Sequence, residues 1–293
     1  MKTSQALLRS TAVAIAFAFI LTGCTSTNND ENESAAGKED TVQQIKDRGT
    51  LVVGVRQDQP PFSFENKNGE LVGFEVDIAE HIAEELGVSL EKVAVTSNTR
   101  IPLLSQGRVD MLAATVSHYR DREDAIDFSL GYFWADRSVL VKSGSGIKTV
   151  EDLDGKSVGA LPATGTLTEV PQLVPGVKME TFKTYQDAFL ALQQGAIDAV
   201  GTDRLTLARL RVQSSNPSDY EVLKDATGAS EFALGVREND SDWRDTINYI
   251  LQDMAVDGSW EKIFTKWLGP DTEYDIQPSD LNWEIVQWSV PIL

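Results

Sequence analysis

Cysteine is almost missing: Cys24 is the only one in 293 residues, so no intramolecular disulfide can form and stability must come from packed cores. Histidine is scarce as well, limited to His81 and His118. With a single thiol beside them, these leave no ligand set for a zinc-type centre, and no metal or other cofactor is expected. Long apolar runs are lacking too. The longest near the start, Ala12 to Leu21, is about half of the roughly 20 residues that a membrane-spanning helix needs. Positive charge is in deficit, with 26 Lys and Arg against 45 Asp and Glu; without Lys2 and Arg9 the balance is 24 against 45, a net charge of −21. Nucleic acid and anionic lipid surfaces are thereby disfavoured as partners. About 270 residues remain beyond the leading segment, enough for one or two cores.

What is present begins at the N-terminus. Residues 1–23 carry Lys2 and Arg9, no acidic residue and then the apolar run, the layout of a secretory signal. Leu21-Thr22-Gly23-Cys24 resembles the lipobox of bacterial lipoproteins. That resemblance implies lipidation of Cys24, an extracytoplasmic location and attachment to the cell membrane through the lipid alone. Residues 24–40 are polar and without apolar periodicity, and read as a flexible tether.

Beyond the tether, apolar spacing predicts a helix over Thr41 to Arg48, a strand over Leu51 to Val55, and an amphipathic helix over Glu75 to Leu86 stopped by Gly87. Two echoes follow. Leu103 to Asp110 (LLSQGRVD) returns as Ala191 to Asp198 (ALQQGAID), and GTLVVGV at Gly49 returns as GKSVGAL at Gly155. Helix end, glycine stop and apolar strand, repeated in one order, point to two α/β lobes of similar build. Trp260, Ile263, Phe264 and Trp267 share one face of a helix over Ser259 to Trp267 and read as core.

Two segments after buried strands, Thr115 to Arg122 and Ala163 to Thr166, read as helix starts that could receive an anion. Each alone is equally well explained as ordinary capping by Ser and Thr. Together with Gly54 through Phe62, LVGFEVD (Leu71 to Asp77), RIPLLSQGRVDMLAAT (Arg100 to Thr115), DFS (Asp127 to Ser129) and GAIDAVGTD (Gly195 to Asp203), they resemble the family 3 extracellular solute-binding proteins, the polar amino-acid receptors of ABC importers. The likeness runs from Gly49 to Trp267 in one order.

The resemblance implies two α/β lobes joined by two crossing strands, with the ligand cleft between them. Mapped here, lobe one takes residues 41–139 and 232–269, lobe two takes 140–231, and 270–293 form an extension without an assigned role. It further implies that Arg122 grips the ligand's α-carboxylate, that Thr115 and Ser117 add hydroxyl and amide contacts, that Asp203 receives the α-ammonium group, and that Thr166 lies in the second lobe's anion turn. The partners expected are a small amino acid and a membrane permease, and the protein itself is expected to be a monomer.

Many members hold the ligand side chain between two aromatic rings, but Gln59 and Ser97 stand at those positions here. Arg56 and Arg100 accompany them, and Arg56, Ser97 and Arg100 are expected to meet the ligand side chain. With Arg122 and Asp203 the four charges sum to +2, which favours glutamate or aspartate over glutamine or another polar amino acid. An enzyme on the same fold, similar to cyclohexadienyl dehydratase, would need a general acid or base beside the ligand. No residue in the sequence compels that role, so no catalysis is expected.

Overall fold

The computed structural model describes residues 40–274 and 276. The expected signal segment, Cys24 and nearly all of the tether lie outside these residues, as does most of the expected C-terminal extension. Among the described residues no helix is long and apolar enough to cross a membrane.

Strand and helix alternate first through α1 (Thr41–Arg48), β1 (Thr50–Arg56), the short β2 (Asp58–Gln59), β3 (Ser63–Glu65) and β4 (Leu71–Val72), α2 (Phe74–Leu86), β5 (Ser89–Val95), α3 (Arg100–Ser105) and β6 (Met111–Ala113). The 17-residue β7 (Ile126–Lys142) follows. A second alternation comprises β8 (Ser157–Ala160), α4 (Thr166–Leu173), β9 (Lys178–Thr181), α5 (Tyr185–Gln194), β10 (Ala199–Asp203), α6 (Arg204–Val212) and β11 (Tyr220–Val222). The chain then returns through β12 (Gly228–Arg237) to α7 (Ser241–Asp257) and α8 (Ser259–Leu268).

The sheet explains how two lobes arise from one chain. Its hydrogen-bonded order is β5-β1-β6-β12-β7-β10-β8-β9, with β11 also on β7, and β2-β3-β4 form a separate small sheet. Parallel pairs flank both ends, whereas β12 and β7 run antiparallel to each other in the middle. These two strands cross between the lobes, and the expected boundaries at 139/140 and 231/232 fall inside them. Register shifts in β12 at Phe232/Ala233 and Ala233/Gly235 bend the pair locally.

The echoed sequences build the same device twice. In lobe one, Asp110 N–H donates to Val52 carbonyl oxygen at 2.8 Å and its Oδ2 accepts from Val52 N–H at 2.8 Å. In lobe two, Asp198 N–H donates to Ser157 carbonyl oxygen at 2.9 Å and its Oδ2 accepts from Ser157 N–H at 2.8 Å. Each aspartate ties the strand it starts to the start of the neighbouring parallel strand.

The larger core packs α2, α7 and α8 on one side of lobe one, with Trp243, Phe74, Phe264 and Ile82 fully enclosed. The expected helical face of Trp260, Ile263, Phe264 and Trp267 belongs to it. Two smaller cores flank the lobe-two strands. After α8 the chain turns back along the molecule: Tyr274 and Ile276 pack on the lobe-one core while Glu273 pairs with Arg209 of α6 at 3.3 Å.

One expected element differs. No α-helix starts at Thr115; beyond it, Val116 to His118 run alongside β12, where Ser117 bridges to Phe232, Ala233 N–H donates to Val116, and His118 N–H donates to Glu231. Only a single 3-10 turn, Arg120–Arg122, remains.

Candidate functional site

A cleft lies between the lobes. Lobe one lines it with Arg56, Gln59, Arg100, Thr115, Ser117 and Arg122, lobe two with Thr164, Gly165, Thr166, Tyr185, Thr202 and Asp203, and the crossing strands with Arg137 and Phe232. Of the eight contacts expected from sequence, seven line this cleft. Ser97 is buried but is not among the lining residues.

Each charged group is placed by its element. Arg122 ends the 3-10 turn, and its Nη1 donates to Ser117 carbonyl oxygen at 2.8 Å while Nη2 donates across to Ala163 of lobe two at 3.0 Å. Two of its five N–H donors are thus used by backbone. Asp203 sits at the end of β10 and caps α6, with Oδ1 accepting from Thr206 N–H at 2.8 Å. Its Oδ2 accepts from Gln59 Nε2 at 3.1 Å, a bond from one lobe to the other. Burial pushes the Asp203 carboxyl above its ordinary pKa of 3.8, against the pull of these donors.

Thr115 has φ 51, a left-handed conformation that is uncommon for a β-branched residue. It is held on both sides. Thr115 N–H donates to Glu75 Oε1 at 2.6 Å, and its carbonyl accepts from Arg100 Nη1 at 2.9 Å. Glu75 reaches this point because Gly73, at φ 139, lets the chain turn tightly against Phe62 before α2 begins. Glu75 also accepts from Ser63 Oγ and from the Tyr132 hydroxyl. Burial raises its pKa above the ordinary glutamate value, outweighing the opposing pull of these three donors and of Arg100. Arg100 is lowered to about 9 by burial, then by Arg122 and Arg56, and remains a cation at neutral pH.

Arg56 is 2 % exposed, and its Nε donates to Asp58 Oδ1 at 2.8 Å. Sequence reasoning passed over Asp58, yet residues two apart on an extended chain share a face. Arg137 was also passed over. Alternation along β7 places it on the buried face with Phe133 and Ala135, and it pairs with Glu169 of α4. Tyr185, the first residue of α5, and Thr202 complete the lobe-two wall; burial pushes the Tyr185 hydroxyl up to about 12. Two buried polar atoms in the lining have no partner, Arg100 Nε and Thr166 Oγ1, whereas Arg56 Nη2 lies 2.8 Å from Asp58 Oδ1 in an ion pair. Phe232, stacked on Phe133 at 6.1 Å, supplies an apolar surface.

The expected helix-start role of His118 is replaced by an ion-pair role. Its Nδ1 lies 3.1 Å from Glu231 Oε1 and its Nε2 lies 2.6 Å from Glu123 Oε1, and the ring stacks on Phe128.

Comparison with known proteins adds independent findings. Residues 51–270 match the profile of the bacterial extracellular solute-binding proteins, family 3. The ABC transporter glutamine-binding protein GlnH of Bacillus subtilis (strain 168) is 35% identical over 269 residues, covering 89% of this chain and 97% of that protein. The glutamate/aspartate import solute-binding protein of Salmonella typhimurium (strain LT2) is 27% identical over 266 residues, covering 86% of this chain and 85% of its own length. Among solved structures, an ancestral arginine-binding protein bound to glutamine superposes with a TM-score of 0.71 at 36% identity, over 76% of this chain and 99% of that one.

Proposed function

The chain belongs to family 3 of the bacterial extracellular solute-binding proteins, and from that premise we propose that it captures a free polar α-amino acid between its lobes and delivers it to an ABC importer permease. The observation that carries this reading is the placement of Arg122 and Asp203 in one cleft, a cation from lobe one and an anion from lobe two. An α-amino acid is the complementary dipole. Its carboxylate suits a guanidinium that keeps donors in reserve, and its ammonium suits a buried carboxylate. A ligand that touches both lobes favours the closed form, so capture and closure are one event. Cys24 as a lipid anchor keeps the monomeric receptor at the membrane; intact-mass measurement of the mature protein tests that part.

For the side chain, glutamine is the first choice. The cationic excess counted from sequence is reduced within the protein by Asp58 on Arg56, and the further cation Arg137 is matched by Glu169. A neutral side chain adds no charge to this balance, and a carboxamide can pair with the unpartnered donors Arg100 Nε and Thr166 Oγ1. Those same donors favour glutamate or aspartate as the second reading. No catalysis is assigned, because Glu75 is committed to Thr115, Ser63 and Tyr132, and Asp203 to Thr206 and Gln59.

Titration calorimetry of the mature protein with glutamine, glutamate and aspartate tests the proposal. Saturable binding without turnover is expected, tightest for glutamine, and Arg122→Ala should weaken every ligand by about a hundredfold or more. Glutamate or aspartate binding more tightly than glutamine would select the second reading. No heat with any amino acid, or product formation, would remove the receptor reading itself.

A further inference from the structure

The loop that presents Arg122 also reaches across the cleft at its rim. The Tyr119 hydroxyl donates to Glu169 Oε1 at 2.8 Å, in the first turn of α4 on the opposite lobe. Glu169 is gripped in turn by Arg137, through Nε at 2.6 Å and Nη2 at 2.5 Å. Arg137 Nη1 donates to Ser230 Oγ of β12 at 2.9 Å. The Tyr119 ring lies near two guanidinium groups, with Arg122 Cζ 4.7 Å and Arg137 Cζ 5.7 Å from its centroid.

The receiving surface is shaped for that side chain. A Cβ on Gly165 would overlap the Tyr119 hydroxyl, and one on Gly228 would overlap the Glu169 carboxylate. Gly165 has φ −59, which any residue adopts, so its backbone gives no reason for a glycine. Its lack of a side chain is instead what gives the phenol room.

We propose that Tyr119 is a positioning residue that latches the two lobes over a bound ligand and thereby sets how long the ligand stays. This rests on the reading of the cleft as an amino-acid site. Tyr119 and Glu169 sit on opposite lobes, so their bond forms only when the lobes are together. Arg137 pairs in register with Asp203 of β10, so it moves with lobe two and keeps Glu169 neutralised when the lobes part. Opening therefore strands no charge, and the latch is reversible. In the latched state the ring packs on Arg122 and holds the guanidinium toward the cleft. Arg122 can meet the ligand while the lobes are apart, whereas the Tyr119 bond exists only once they have closed, so its effect falls on dissociation.

Stopped-flow tryptophan fluorescence with glutamine as the probe reads this directly. Tyr119→Phe keeps the ring and loses the hydroxyl; the dissociation rate should rise about tenfold, with the association rate within about twofold of the parent. An unchanged dissociation rate in Tyr119→Phe would overturn the latch. A loss confined to association, accompanied by a lower melting midpoint of the ligand-free variant, would also overturn it and assign Tyr119 to folding. If the parent binds no amino acid, the receptor reading fails separately, and small-angle scattering of the ligand-free proteins decides the latch. A parent more compact than Tyr119→Phe supports it, and equal dimensions refute it.

Discussion

Asp203 shows how one side chain can serve both an element and a ligand. One carboxylate oxygen caps α6, the other faces the cleft, and burial raises the group above the ordinary aspartate pKa of 3.8. A ligand ammonium favours the ionised form, so the bound protein should have the lower pKa of the two states. Affinity is then complete above the raised ligand-free value and lost as pH falls through it, starting at a higher pH than an exposed aspartate would give. Calorimetric titration from about pH 7 down to about pH 4 should show this loss, and Asp203→Asn should bind weakly with a flat profile. The principal charges expected in the site, Arg56, Arg100, Arg122 and Asp203, are legible in the sequence through the family resemblance, which maps them position by position, and all four line the cleft. Their partners are less so. Asp58 follows from strand periodicity, but the union of Arg137 with Glu169 joins positions 32 residues apart and depends on how α4 packs. Ser97 marks the reverse case, where likeness of position did not place a side chain in the cleft lining.

The repeated aspartates deserve the next scale, since each fixes the offset between two parallel strands. Asp198 has its pKa lowered by the Ser157 N–H bond, then opposed by burial, so its contribution is present above about 3.8 and fades as pH falls through the depressed value. Asp198→Ala should destabilise the protein by about 1–2 kcal/mol in urea unfolding at neutral pH. Gly159→Ala should also destabilise it, because an added Cβ would lie 2.7 Å from Ile197 and 2.9 Å from Phe182, an overpacking worth about 1–3 kcal/mol. Element type was readable where apolar spacing was regular, as in α2, α7 and α8. It was misread after Thr115, where the helix-like polar run SHYRDR stays largely extended. The reason is non-local: Phe232 and Glu231 of β12 take the backbone bonds that a helix would have used.

At the scale of the molecule, an acidic chain concentrates four arginines in one cleft and sets partly buried carboxylates on two of them, Asp58 on Arg56 and Glu169 on Arg137, so the surface charge says little about the ligand. The described part of the C-terminal stretch also finds a place, joining the lobe-one core to Arg209 on α6. The repeat in the sequence made two lobes legible, but the echoed segments read as two separable units. The strand order shows a single hydrogen-bonded path instead, because β12 joins β6 on the lobe-one side, β7 joins β10 on the lobe-two side, and the two pair with each other. That continuity separates function from folding. In the proposed mechanism the lobes move as two bodies when a ligand enters, yet the shared path means that neither can lose its structure without exposing a strand edge of the other. Thermodynamically they form one cooperative unit. Urea unfolding followed by tryptophan fluorescence and by far-ultraviolet circular dichroism should give one coincident transition, whereas two separated transitions would show independent lobes. On this view the bend in β12 is a joint that flexes without fraying, and its amide protons should be among the last in the chain to exchange with solvent.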